Sequence, residues 1–213
     1  MTKTRDIGIP AGYDPWRFRA FAVTVDVVVL TMSEGLLHLL LVCRGEAPFE
    51  GTWAIPGGFK RPHETLDDAA DRELREETGV GAAGLLTQLG AYGDPRRDPR
   101  LNVVTVAYVA VLRDLGAIVG GADAAAAALL PVSDVVNGKV ELAFDHLRLV
   151  RDAIARVRAE LDVSGVATAF VDSTFTLAEL RAVDEAVWSI PVGKGGRPAG
   201  GGPSPCIQAD EST

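Results

Sequence analysis

Basic residues and aromatic rings are both scarce in this 213-residue chain. Lys and Arg number 21 against 29 Asp and Glu, giving a formal net charge of −8 and a pI near 4.9, and Phe, Trp and Tyr together make up 6%. An acidic balance removes the field that draws a protein to nucleic acid or to an anionic membrane, so neither is an expected partner. An anionic substrate would then need metal, or a local group of Arg and Lys, to attract it. Cysteine is limited to Cys43 and Cys206. Two are too few for a disulfide framework, so a reducing, cytoplasmic setting is expected, with Cys43 a small core residue in an apolar run. The opening MTKTRDIGIP lacks the apolar segment of a signal peptide, and no apolar run would cross a bilayer without Gly or charge. No internal repeat is present. What the chain does have is 47% hydrophobic residues and a mean hydropathy of +0.17, which excludes a disordered chain and supplies a core for one domain, or for one domain with a small appendage.

The stretch from Gly58 to Val80, GFKRPHETLDDAADRELREETGV, organises the rest. Thr65 followed by Asp68 three residues on is a carboxylate form of the capping box, and Asp67 and Asp68 suit the positive end of a helix dipole. A helix is therefore expected to start near Thr65. Leu66, Ala69, Ala70, Leu74 and Thr78 give it an apolar or neutral stripe, and Gly79 is placed to end it in the left-handed conformation. At about 100° per residue, Glu73, Glu76 and Glu77 fall on one side of that helix. Like charges at this spacing destabilise a helix by a few tenths of a kcal/mol per pair. A hard divalent cation, Mg²⁺ or Mn²⁺, would cancel the repulsion and leave coordination positions for water and phosphate oxygens. Gly57 and Gly58 would allow the backbone close to such an ion, making the Gly57 carbonyl a candidate ligand. Arg72 is expected to pair with Glu64 and hold the loop against the helix.

Gly58, Glu64, Arg72, Glu73, Leu74, Glu76, Glu77, Gly79 and Val80 together satisfy the template G-x5-E-x7-R-E-U-x-E-E-x-G-U, where U is aliphatic. On these residues the chain resembles the Nudix hydrolases, with no departure at any defining position. The loop Asp94-Pro95-Arg96-Arg97-Asp98-Pro99-Arg100 and the strand after it extend the likeness to the ADP-ribose pyrophosphatase branch and to related Nudix regulators of NAD metabolism. Leu101-Asn102 stand where many members carry Gly-Arg. The resemblance covers about residues 20 to 190 and implies an α/β fold: an α/β/α sandwich with a mixed sheet, plus a short helical C-terminal remnant. It also implies metal-dependent hydrolysis of a nucleoside diphosphate linked to another moiety, ADP-ribose being preferred, and a homodimer, as is common among relatives. The catalytic set is then Glu64, Arg72, Glu73, Glu76 and Glu77, with Gly57, Glu73, Glu76 and Glu77 around the metal. The base is Glu73 or a residue of a later loop and is left unassigned. Arg96, Arg97 and Arg100 are candidates to hold the non-reacting phosphate or the ribose, since guanidinium matches phosphate geometry. Two alternatives are an ADP-ribose-sensing transcriptional regulator and a hydrolase that sanitises nucleoside triphosphates.

Around this centre, residues 1–18 read as an irregular arm and 19–164 as the Nudix domain. Phe21 to Thr31 and Leu36 to Val42 are expected to form a hairpin across Ser33-Glu34-Gly35. Asp26, alone in its strand, needs either solvent or a polar partner. His38 reads as structural and His63 as solvated, while Trp53 and Pro56 anchor the entry to the metal loop. Strands are expected over 84–93, 101–112 and 125–132, the last leading to a short turn at Ser133-Asp134. A helix over 142–161 should lay Leu142, Leu149, Ala153, Ile154, Val157 and Leu161 on the sheet, with Arg148, Arg151, Arg156 and Arg158 on other faces. Asp145 and His146 read as capping and packing residues at its start. Residues 165–190 read as a smaller, winged-helix-like unit whose helix is capped by Thr176 with Glu179. Residues 191–213, rich in Gly and Pro, read as a disordered tail with no groove-reading helix before it.

Overall fold

The computed structural model describes residues 12–17, 19–82, 84–120, 124–161, 165–190 and Cys206. The expected disordered tail, Cys206 apart, and most of the N-terminal arm lie outside them. The β-branched run forms β1 (Ala22–Ser33), and a turn at Glu34 and Gly35 returns the chain as β2 (Leu36–Arg44). Both turn residues have positive φ, 51° and 74°, the conformation that matches a two-residue turn to the twist of its strands. The hairpin pairs Leu30 with Leu39 and Ser33 with Leu36. The first half of β1 pairs instead with β4 (Gly57–Phe59), Asp26 standing opposite Gly57, while the short β3 (Trp53–Ala54) pairs with the end of β2. On its other edge β1 runs parallel to β6 (Val103–Val111), which pairs with β5 (Thr87–Tyr92), and β7 (Ala124–Pro131) covers the far side of β2. The result is a mixed seven-stranded sheet.

Alternation along β1 sorts the two layers. Val25, Val27 and Val29 pack with Ala69, Ala70 and Leu74 of α1 (Leu66–Thr78). Val28 and Leu30 pack on the other face with Leu149, Ala153, Ile154 and Val157 of α3 (His146–Leu161). Because both faces are covered, β1 reads as an almost unbroken apolar run. Each fully buried Leu or Ile contributes about 1.5–3 kcal/mol through burial, and Leu74→Ala would cost about 2–5 kcal/mol. This is the expected α/β/α sandwich. Asp26 falls on the α3 face, where it is buried apart from an edge on the acidic cleft, so it needs the polar partner expected of it.

Four local expectations are corrected. The helix expected from 142 starts at His146, because Leu142 bridges Trp53 and the Ala143 amide donates to the Trp53 carbonyl at 2.8 Å. The turn at Ser133-Asp134 is part of a short helix, α2 (Val132–Val136). Arg158, expected on an outer face, is 8% exposed: its guanidinium donates to the carbonyls of Val187, Trp188 and Ile190 at the end of α4 (Leu177–Trp188). Cys43, expected as a free thiol in a reducing setting, is disulfide-bonded to Cys206. The C-terminal helix carries its capping box at Thr176 and Glu179, and Phe170, Val183, Val187 and Ile190 belong to the same core cluster as α3. Among the described residues no helix is long and apolar enough to cross a membrane.

Candidate functional site

The acidic helix begins and ends where its residue types require. Thr65 Oγ1 accepts from the Asp68 amide while the Asp68 carboxylate accepts from the Thr65 amide, a reciprocal cap whose loss costs about 1 kcal/mol. Gly79 closes the helix with φ 74°. Between these ends the apolar stripe faces the sheet, and Glu73, Glu76 and Glu77 all turn to one cleft of about 570 Å³.

The three acids are held differently. Glu77 Oε2 accepts the Gly57 amide at 2.9 Å. Its carboxyl is pushed up to about 8, chiefly by burial, which outweighs the Gly57 hydrogen bond; Glu73 and Asp26 add repulsion, and the Arg44 charge opposes it. Burial also raises Glu73, against the Arg72 guanidinium 2.7 Å away. Glu76 is half exposed and shared between Arg72 at 3.0 Å and Arg61 at 3.2 Å. Arg72 grips Glu64 with two hydrogen bonds, 2.7 and 2.9 Å, and reaches the Phe59 carbonyl, which ties the loop to the helix as expected. Glu64 is consequently held down at about 2.

Gly57 and Gly58 are close-approach positions. A Cβ on Gly58 would lie 2.6 Å from the Glu73 carboxylate, and one on Gly57 would lie 2.3 Å from the Val25 carbonyl and 2.6 Å from Asp26 Oδ1. The crowding is against Glu73 and β1, and the contact that Gly57 makes to the acids is through its amide.

The basic loop divides. Arg97 is buried: Nη2 lies 3.2 Å from Asp26 and 2.9 Å from Asp145. Asp145 therefore serves Arg97, not the expected cap. His146 is buried too; its Nδ1 accepts the Ile55 amide at 3.2 Å, which leaves Nε2 as the protonated nitrogen, 3.6 Å from Asp26 Oδ1. Burial lowers its pKa and keeps it neutral. Arg100 is held by Asp98 at 2.8 Å and, with Arg97, lines the cleft; Arg96 lies apart, on a neighbouring hollow.

Such a wall suits a hard divalent cation: every donor is a carboxylate oxygen, and among the described residues buried Glu77 makes no ion pair, Arg44 acting on it only through its field. As the side chains stand, Arg61 and Arg72 occupy oxygens of Glu73 and Glu76, and among the described residues no three His, Cys, Asp or Glu side chains are gathered for an ion. Binding an ion would mean exchanging guanidinium for metal at Glu76, the most exposed of the three.

Sequence reasoning missed Arg61 as a partner of Glu76, and missed Phe144 in the cleft wall with Phe49 packed against it. For Arg61 the available signal was a cation in the loop facing the acidic helix. For the two rings there was none, since neither belongs to a periodic pattern.

Comparison with known proteins matches the NUDIX domain to residues 20–153. The chain is 30% identical over 167 residues to the ADPR responsive transcriptional repressor NtrR of Acinetobacter baylyi, across 78% of this chain and 66% of the repressor, a little under two thirds of its length. It is 34% identical over 131 residues to the ADP-ribose pyrophosphatase of Methanocaldococcus jannaschii, across 62% of this chain and 72% of that one. Among solved structures, the NUDIX domain of Shewanella oneidensis NrtR complexed with ADP ribose superposes with a TM-score of 0.62 at 37% identity, over 69% of this chain and 95% of that chain.

Proposed function

This chain belongs to the Nudix family, and from that premise we propose that it hydrolyses the diphosphate bond of a nucleoside diphosphate linked to another moiety, ADP-ribose before others. Water and ADP-ribose would give AMP and ribose 5-phosphate. The observation that carries the reading is the acidic wall itself, with Glu73, Glu76 and Glu77 facing one cleft and Glu77 buried in it.

In this reading Glu73, Glu76 and Glu77, with the Gly57 carbonyl, hold Mg²⁺ or Mn²⁺, which when bound supplies charge neutralisation for the diphosphate oxygens and acidifies water. The Gly57 amide fixes one oxygen of Glu77 so that the other is left for a ligand. Glu64 orients Arg72, which keeps the loop in place as Glu76 changes partner. Arg100, at the rim, is the loop arginine best placed to take the non-reacting phosphate, whereas Arg97 is engaged by two carboxylates and acts through the framework. Arg96 is not assigned to phosphate. A homodimer belongs to the same reading and is checked by sedimentation.

The test is direct. Purified protein with ADP-ribose and Mg²⁺ should release AMP; chelation, Glu76→Gln or Glu77→Gln should abolish release. Failure of the unaltered protein to produce AMP with either metal would sink the proposal. A second reading is supported by the match to the repressor, which runs past the NUDIX domain: the site would then bind ADP-ribose tightly without releasing AMP, and a DNA-binding function would accompany it.

A further inference from the structure

The two cysteines of the chain form a bond for which the acidic wall has no use. Cys43, near the end of β2, is fully buried and belongs to the wall of the cleft, whereas Cys206 stands 163 residues further on and keeps part of its surface. Beside the bond, the Cys206 amide donates to the Gly51 carbonyl at 3.3 Å. Cys206 is thus fastened at two points, its sulfur to a strand and its amide to the exit of the loop 45–51. That loop is closed at its base by the Arg44 amide on the Thr52 carbonyl, 3.1 Å, and by the Gly51 amide on the Arg44 carbonyl, 2.9 Å. Its Gly45 and Glu46 line the cleft, and its Phe49 packs on Phe144, which lines the cleft as well. Glu46 and Glu50 are exposed.

The two halves of the bond differ in what reaches them. Thiol–disulfide exchange starts with a thiolate approaching the sulfur it attacks, so access selects the target. Cys43 has no exposed surface, and attack falls on Cys206. The chain has no third cysteine to reshuffle with, so the attacking thiol comes from outside. Its thiolate forms a mixed disulfide at Cys206 and expels the Cys43 sulfur as a thiolate, which takes up a proton. A second external thiolate then attacks the first one's sulfur and releases Cys206, which is protonated in turn. The protein gains two electrons and two protons, and two external thiols leave as one small disulfide. With the bond open, only the amide contact to Gly51 ties Cys206 to the loop exit.

We propose that the Cys43–Cys206 bond is a reversible modification site for low-molecular-weight thiols, entered at Cys206, and that its state sets how firmly the loop 45–51 is held against the cleft. This goes beyond the hydrolysis proposed above and is read on the protein alone, whatever the cleft binds. Full-length protein, oxidised with glutathione disulfide and then given reduced glutathione, is alkylated and mapped by mass spectrometry. The glutathione adduct is expected on Cys206 and the alkyl group on Cys43. Cleavage after Glu46 and Glu50 by a glutamate-specific protease should then run about tenfold faster in Cys206→Ser than in the bonded protein, because proteolysis follows local opening. A phosphine reductant should bring the unaltered protein to the rate of the variant and leave the variant unchanged, which assigns the effect to the bond and not to the substitution. Free thiols at both positions after oxidation, an adduct confined to Cys43, or equal cleavage of the bonded and reduced protein would each overturn the proposal.

Discussion

Around α1, Glu64 of the preceding loop shares Arg72 with Glu73 and Glu76 of the helix, and the outermost pair, Arg61 with Glu76, leaves those side chains 60% and 50% exposed. Behind the metal loop, Asp26, Arg97, Asp145 and His146 use the same kinds of groups with Asp26 and Arg97 at 8% and 5%. The first set is local and solvated at its outer edge, so Arg61 and Glu76 can change partners at small cost. The second joins β1, the basic loop and the start of α3, and burial makes each of its charges depend on the other. The site thus combines an acidic wall whose outer member, Glu76, is free to change partner with a support that is not, and the Ile55 and Gly57 amides, two residues apart, connect the two through His146 and Glu77.

Replacing an acid of the wall should break function while sparing the fold. Glu77→Gln is expected to lower AMP release on the order of 10³-fold, while the metal-free variant melts no lower than the parent, since a neutral side chain better suits its burial. A variant that hydrolyses normally would remove Glu77 from the site. The reverse pattern is expected behind the loop. Arg97→Met strands Asp26 and Asp145 and should destabilise the protein by about 3–5 kcal/mol in urea denaturation; a loss below 1 kcal/mol would show that the buried pairing is not needed.

A pH series sharpens the contrast. Glu77 titrates at about 8 when folded against 4.5 ordinarily, so between these values the folded protein holds a proton that the unfolded chain has released. Stability in EDTA should therefore fall as pH rises across that window, and a saturating divalent ion, which favours the ionised carboxylate, should flatten or reverse the slope. Glu64, held at about 2, acts oppositely: its contribution is present above 4.5 and lost as pH drops toward 2. A stability profile in EDTA that rises from pH 5 to 8 would contradict the Glu77 assignment. Smallest of all should be Arg61→Ala, which removes only an exposed pair and is expected to change stability by less than about 1 kcal/mol.

How much of this could be read from the chain follows the same division. The cap at Thr65, the stop at Gly79, the Glu64–Arg72 pair and the shared face of the three acids depend on spacings of a few residues up to eight, and helical geometry fixes them. The Ala-rich β7 was legible from its aliphatic ending, although alanine alone favours helix. Arg97 could not be placed because its partners are 71 and 48 residues away, and an arginine between prolines looks the same whether it faces phosphate or a buried aspartate. Asp26 was marked as needing a partner by its apolar neighbours, but nothing local named that partner. Arg158 was misplaced for a related reason: its role depends on the end of a helix about thirty residues later.

That last contact also governs where the domain can be divided. A guanidinium held by three carbonyls takes its hydrogen bonds from the end of α4, so a chain shortened before that helix would hand the cation to water and bare the apolar side of α3 that Val183, Val187 and Ile190 cover. The helix is in this sense a lid on α3 pinned by one side chain. Whatever follows Ile190 starts from a fixed mooring on the sheet face opposite α1.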